Sequence, residues 1–445
     1  MQLAKGERGV IARTSKRRGL RWGLALGAFA CAMGMAGTAS AEDALSQGDT
    51  AWILVSTAFV LFMNIPGLAL FYGGLVRTKN VLSVLMQCMA LTGIITLLWL
   101  AFGYSLAFDE GGPILGGFSK AFLRGVTGDT LSGTIPEVLF FAFQMTFAII
   151  TPALIIGAVV ERMRFAPLML FSVIWVVLVY LPVCHMEWGP GGFLGELGVF
   201  DFAGGIVVHV TAGVAALVAC IVLGPRRGYG ETPIFPHNMT MTVTGTAMLW
   251  VGWFGFNGGS ALAADGAAAM AITATHISAA TAACTWSAVE WRQHGKPSAL
   301  GFATGAIAGL AAVTPASGFI GPVGGLLIGL TAGVVCYVAS TSLKQRLGYD
   351  DSLDVFGVHG VGGFVGTVMA GFLASEVFGG NQGDLAMGRQ TALQLAAAVG
   401  VGLYTAVVSW AILKGVGAVT ELRVNEQDEN TGLDITEHDE AGYRY

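Results

Sequence analysis

Asp201–Val210 reads DFAGGIVVHV, and the apolar run it opens continues to Leu223. A carboxylate and two glycines introduce a segment of Ile, Val, Ala and Leu as long as the roughly 20 residues needed to cross the hydrocarbon of a bilayer. His209 lies inside that run. An ionisable group in such a place is costly and is usually retained for a task, so the stretch asks for a membrane fold with polar work inside it.

The rest of the chain points to the same fold class. Of its 445 residues, 54% are hydrophobic and only 11% charged, about half the charge fraction of a soluble domain. Eleven segments read as spans, at 51–75, 80–108, 136–160, 166–186, 202–223, 237–258, 265–290, 298–316, 320–343, 354–375 and 390–418. The expectation is an all-α integral membrane protein. Residues 421–445, including NEQDENTGLDITEHDE, are too acidic and too poor in apolar side chains to enter a membrane, and read as a polar tail.

The N-terminal stretch reads differently. KRRGLRWGLALGAFACAMGMAGTASA has a basic start, an apolar middle and a small-residue ending at Ala39-Ser40-Ala41. That is the pattern of a secretory signal peptide cut before Glu42, with an uncleaved first helix as the alternative. The expected organisation is a signal peptide at 1–41, a transmembrane body at 42–420 and the tail at 421–445.

Lys and Arg number 23 against 28 Asp and Glu, with no basic stripe, so no nucleic-acid partner is expected. The cysteines stand singly, which suits buried small hydrophobes better than disulfides. No metal-ligand spacing, cofactor motif or nucleophile–base pair appears, so an enzyme and a bound cofactor are not expected.

Loop charges give an orientation. With the first span entering from outside, the inner loops carry Arg77, Lys79, Arg162, Arg164, Arg226, Arg227, Arg292, Lys296, Lys344 and Arg346. The outer loops carry Lys120, Arg124 and Arg389. Ten against three obeys the positive-inside rule and puts the tail in the cytoplasm. Gly301, Gly305 and Gly309, then Gly321, Gly325, Gly329 and Gly333, recur every four residues, a stripe that lets membrane helices approach closely.

A faint repeat is present as well. Asp201 and His209 in the fifth span resemble Asp354 and His359 in the tenth. Five spans apart, the two elements enter from opposite faces, the mark of an inverted repeat with its working site near the membrane midplane. Facing each other there, His209 and His359 would satisfy one another without charge, one imidazole donating and the other accepting. Taken alone, either is a hydrogen-bonded packing residue. His276 has no repeat mate and reads as an interhelical hydrogen-bonding residue.

For Asp201 there are two readings, a cap on the helix terminus or a direct cation ligand. The cap is favoured, because an exposed carboxylate binds sodium and potassium as readily as any other cation. Phe147, Trp188, Trp253, Phe256 and Ser260 gather toward the outer face on this topology. They read either as an aromatic belt at the headgroups or as a cation site built of ring faces and a hydroxyl.

FQMTFAIITPALIIGAVVERMRF, DFAGGIVVHVTAGVAALV, GTAMLWVGWFGFNGGSA, GAIAGLAAVTPASGFIGP and DDSLDVFGVHGVGG strongly resemble the Amt branch of the ammonium transporter (Amt/Mep/Rh) family, bacterial type. The resemblance runs from about Ala51 to the tail. It implies eleven transmembrane helices in a five-plus-five inverted repeat plus a final helix. It also implies a homotrimer with one pore per protomer, ammonium uptake as the activity, and methylammonium as a possible second substrate. Phe147, Trp188 and Ser260 match the family's external recruitment site, and Phe147 with Phe256 its phenyl gate. Asp201 matches the supporting aspartate, and His209 and His359 match the twin pore histidines, with Trp253 beside them. A PII signalling protein at the cytoplasmic exit is the implied partner, touching Arg226, Arg227 and the tail. The implied location is the bacterial inner membrane. An ammonium sensor and a neutral-gas channel of the Rh kind are the alternatives, the second disfavoured by Trp188 and Ser260.

Overall fold

The computed structural model describes residues 44–444, and the expected signal peptide lies outside the described residues. Among these residues nine helices are long and apolar enough to cross a membrane: Gln47–Leu75, Thr78–Phe108, Glu137–Val159, Phe165–Glu196, Gly205–Leu223, Gly266–His294, Pro322–Leu347, Phe356–Leu373 and Met387–Val419. Two of the eleven expected spans fall outside that set. Met239–Trp253, continued by the turn Phe254–Gly258, is helical but diluted by threonine and glycine. Ala299–Val313 is a shorter apolar helix of 15 residues, and the chain leaves it just before Pro315.

Burial sorts the helices. The most apolar window of Glu137–Val159 is 89% buried, whereas that of Met387–Val419 is 33% buried. The first is therefore the centre of the bundle and the second a rod on its rim. Both glycine stripes pack on one partner. A methyl at Gly305 or Gly309 would strike Trp286, Ser278 or Ala282, and one at Gly325, Gly329 or Gly333 would strike Ala274, Ser278 or Thr285. All of these belong to Gly266–His294, which is held from two sides by close backbone contact, as small-residue stripes allow.

The helices are interrupted where the site lies. Gly205–Val210, Phe254–Gly258 and Phe356–Gly360 are π-helical turns, and they hold His209, Phe256 and His359 respectively. Such wide turns break the regular ladder and are common at functional positions. The two histidine helices cross where Gly213 meets Gly360, with no room for a side chain on Gly213. Gly363 does the same beneath the His209 Cβ.

The polar tail is docked rather than free. It forms Glu426–Thr431 and Leu433–His438, with Leu433 fully buried. The Asn80 side chain accepts from Leu433 N–H at 2.8 Å, Asp434 accepts from Ser83 N–H at 2.8 Å, and Glu437 accepts from Phe165 N–H at 2.9 Å. Beside it, Arg226 bridges Glu161 at 3.1 Å and Asp350 at 2.9 Å, and Arg77 adds a bond to Glu161 at 3.0 Å. Burial pushes both carboxyls up, but the guanidinium charges and hydrogen bonds beside them, Arg226 first, together outweigh it and hold Glu161 and Asp350 below their ordinary values. Arg77 assists at Glu161 and Arg162 at Asp350.

Two outcomes follow from this packing. Gly213→Ala should force the histidine helices apart and lower stability by about 1–3 kcal/mol, seen as a lower melting temperature in detergent. Glu161→Gln should lower stability by about 1.5–3 kcal/mol, because Arg226 and Arg77 lose a charged acceptor while Arg226 keeps Asp350. Since both carboxyls titrate lower folded than unfolded, their contribution is complete above about pH 5 and is lost as pH falls through the folded values. Proteolysis of the tail at stepped pH reads that loss, and a tail equally protected in Glu161→Gln at every pH would contradict it.

Candidate functional site

A cavity of about 200 Å³ opens at the end of the bundle opposite the tail, lined by Phe108, Phe140, Gln144, Phe147, Trp188, Phe202, Ser260 and Leu262. Trp188 is at the end of its helix, partly exposed, and its indole N–H donates to the Asp201 carbonyl at 2.8 Å. That bond fixes the ring, which meets Phe147 edge-on at 6.1 Å. The Ser260 hydroxyl donates to the Phe256 carbonyl at 2.8 Å. With its proton committed, Ser260 offers the cavity only lone pairs, the polarity that a hydrogen-bearing cation needs. Gln144 supplies another acceptor in the same wall, since its Oε1 is buried with no partner. Sequence reasoning quoted Gln144 but gave it no role, because a single amide in an apolar run carries no pattern.

Beneath the cavity Phe147 and Phe256 lie 4.4 Å apart between centroids, tilted by 41°, each 1% exposed. Below them the rings continue as a column. Phe256 stacks on His209 at 6.0 Å, His209 on Trp253 at 5.5 Å, and His209 on His359 at 5.2 Å. The two histidines face each other Nδ1 to Nδ1 at 3.2 Å, both buried. One Nδ1 must carry a proton and the other a lone pair, so one Nε2 is left an acceptor and the other a donor. The His209 Nε2 has no partner among the described residues and borders a narrow space of about 10 Å³ whose walls are otherwise apolar or aromatic except for His359. Trp253 is fixed from behind, donating to the Thr314 hydroxyl at 3.0 Å.

Asp201 is 4% exposed and both its oxygens are occupied. Oδ1 accepts from the N–H groups of Gly204 and Gly205, and Oδ2 from Ile206 at 2.8 Å and Val207 at 2.9 Å. These are the orphan donors of a helix terminus, so the geometry is that of a cap. Its opposite number is Asp351, which accepts from Phe356 N–H at 2.7 Å and is 1% exposed. Asp351 precedes His359 by the same eight residues that separate Asp201 from His209. The sequence reading paired Asp201 with Asp354 instead. Asp354 has a left-handed φ of 59° and pairs with Lys344 at 2.7 Å, so it leaves the turn to Asp351.

Other expected residues fall elsewhere. His276 is exposed and packs its ring on Trp250 at 5.5 Å and Phe254 at 6.0 Å, without a hydrogen bond to another described residue. Arg226 is 6% exposed and consumed by its two carboxylates, while Arg227 is exposed and pairs with Glu426 at 3.4 Å. A second vestibule of about 430 Å³ opens at the tail end, bordered by Arg226, Glu290, Lys344 and Asp354. Phe71 lines both this vestibule and the histidine space.

Comparison with known proteins places the chain in a family. The chain matches the Ammonium Transporter Family over residues 51–443. It is 46% identical over 405 residues to an ammonium transporter of Bacillus subtilis, covering 90% of this chain and 99% of that one. Among solved structures, Mep2 of Candida albicans superposes with a TM-score of 0.80 at 35% identity, over 86% of this chain and 87% of its own. A structure described as a sensor Amt protein superposes with a TM-score of 0.82 at 28% identity, over 88% and 98%. With its cavity, phenyl pair and histidine pair all inside the matched residues, the chain belongs to the ammonium transporter family.

Proposed function

We propose that this membrane transporter, which is not an enzyme, takes up ammonium by stripping its proton and conducting ammonia past paired histidines. The observation that carries the reading is the Nδ1–Nδ1 contact of His209 and His359 at 3.2 Å beneath a closed phenyl pair. Ammonium is recruited by the ring faces of Phe147 and Trp188 and by the lone pairs of Ser260. Ring faces attract a desolvated cation by up to about 2 kcal/mol, and a hydrogen bond to a charged group contributes about 1.5–3 kcal/mol. Potassium is drawn to the rings as well but cannot donate to the hydroxyl.

Selectivity is completed below the gate. An ion in a dry apolar passage costs several kcal/mol more than a neutral solute. Ammonium gives its proton to water at the mouth of the outer cavity and becomes such a solute, whereas potassium has no neutral form. The neutral histidine pair then meets ammonia with one acceptor and one donor nitrogen. Asp201 acts on this step through the helix terminus it caps and through its own carbonyl, which accepts from the Trp188 indole N–H, not as a ligand. The proton crosses by a separate route.

The family pattern supplies the coarser setting of this reading. It comprises eleven spans as a five-plus-five inverted repeat with a final helix, a homotrimer in a bacterial inner membrane, and a signal peptide at 1–41 ahead of a body at 42–420. The inverted repeat is supported by the matched Asp201–His209 and Asp351–His359 spacings. A PII signalling protein at the tail end would meet Arg227 and residues 421–445 rather than the buried Arg226. A sensor role is the second reading, favoured by the sensor Amt relative and by the docked tail. It predicts ammonium binding with negligible flux.

Reconstituted vesicles test the mechanism. The double substitution His209→Ala, His359→Ala should reduce ammonium-over-potassium discrimination at least about tenfold, the equivalent of 1.4 kcal/mol. Undiminished discrimination in that variant rejects the neutral-pore role. Separately, Trp188→Leu or Ser260→Ala should raise the half-saturating ammonium concentration about tenfold with the maximal rate little changed. Binding without measurable uptake by the unaltered protein would favour the sensor instead.

A further inference from the structure

Met387–Val419 lies on the rim of the bundle, yet it carries one fully buried amide, Gln394. Its Oε1 accepts from Phe200 N–H at 2.7 Å and from the Gln390 amide at 3.3 Å. Its Nε2 donates to the Phe200 carbonyl at 2.7 Å and to the Thr367 carbonyl at 3.2 Å. A side-chain amide has two acceptor and two donor positions, and here all four are used. Gln394 thus imitates the backbone of a neighbouring strand, gripping both polar groups of Phe200.

Phe200 is the residue before Asp201, so the gripped carbonyl belongs to the peptide that leads into the cap. The Asp201 carbonyl holds the Trp188 indole, and Phe202 forms part of the cavity wall. From the other side the same three residues are held by Phe319, stacked on Phe200 at 4.7 Å, and by Pro315, whose carbonyl accepts from Phe202 N–H at 3.1 Å. Gln394 is the contact that fixes this segment by hydrogen bonds from the rim helix, and it touches no part of the cavity itself.

We infer that Gln394 is a positioning residue for cation recruitment, setting through Phe200 and Asp201 where the Trp188 ring stands over the cavity. The inference rests on the recruitment reading given above. Removing the amide leaves the Phe200 N–H and carbonyl without partners in a buried site, and the segment must shift to find others. A ring displaced by a fraction of an ångström loses its edge-on contact with Phe147 and part of its hold on a cation. Neither histidine bonds to Gln394, and the Asp201 carboxylate keeps its own four N–H donors, so the loss falls first on the Trp188 end of the segment rather than on the pair.

The test uses the full chain in vesicles and compares Gln394→Met, of similar length but apolar, with Trp188→Leu and with the two combined. Ammonium-evoked current gives half-saturation and maximal rate, and melting temperature checks the fold. Gln394→Met should raise half-saturation about fivefold to tenfold while maximal rate and ammonium-over-potassium discrimination stay within about twofold. In the Trp188→Leu background the same substitution should add little, since contacting groups in one network are not additive. The inference is overturned if Trp188→Leu weakens half-saturation and Gln394→Met does not, or if the Gln394 effect persists in full without Trp188. If Trp188→Leu itself changes nothing, the recruitment reading falls first. Should Gln394→Met fail to assemble, Gln394→Glu serves in its place. It keeps the acceptor for Phe200 N–H and loses the donors, so it should give a smaller rise in half-saturation, and no rise overturns the inference.

Discussion

A helix that begins inside a protein must find partners for its first N–H groups, and this bundle meets that constraint with one buried carboxylate. Asp201 absorbs four of them at the head of Gly205–Leu223. The remaining parts of the site hang on that terminus. His209 rides in the π turn that the cap initiates, and Trp188 is tied to the carbonyl of the capping residue itself. Asp351 accepts the Phe356 N–H at the head of the His359 helix, a lighter version of the same contact, and only Asp201 has both oxygens filled. A carboxylate so engaged has no spare oxygen for a passing cation, which separates its structural work from the chemistry of the passage.

The aromatic column and the glycine crossings answer each other. Phe147, Phe256, Trp253 and the two imidazoles fill the axis with flat rings, which exclude water only if the surrounding backbones come close. Gly213, Gly360 and Gly363 provide that closeness at the level of the histidines. Regular α-helical geometry would rotate successive residues by a fixed step. Here three π turns, Gly205–Val210, Phe254–Gly258 and Phe356–Gly360, carry His209, Phe256 and His359, and the Phe256 and His359 rings both stack on His209.

Much of this was legible in the residues. Apolar length announced the helices, and histidines within apolar runs stood out because burying them is expensive. The glycine stripes showed that helices approach closely, but not that both meet Gly266–His294. What escaped notice is instructive. Asp354 reads as the mate of Asp201 from the residues alone, while the cap is recognised by the eight-residue interval from Asp351 to His359 that only the backbone makes meaningful. Gln394 and Gln144 were passed over because amides in apolar segments form no period. The tail looked like a solvated strand of charges. Its docking depends on one buried leucine and on acceptors for backbone N–H groups of other helices, a relation that composition does not record.

The space beside the histidine pair amounts to about 10 Å³, near the lower limit for holding a single water. Such a gap admits one small molecule at a time and no continuous thread of solvent. On the transport reading proposed above, traffic along the axis is then a queue of one, and the Phe147–Phe256 pair must part to admit each molecule. Without an unbroken file of water, a proton has no wire to run along on this axis, which is why that reading sends it elsewhere.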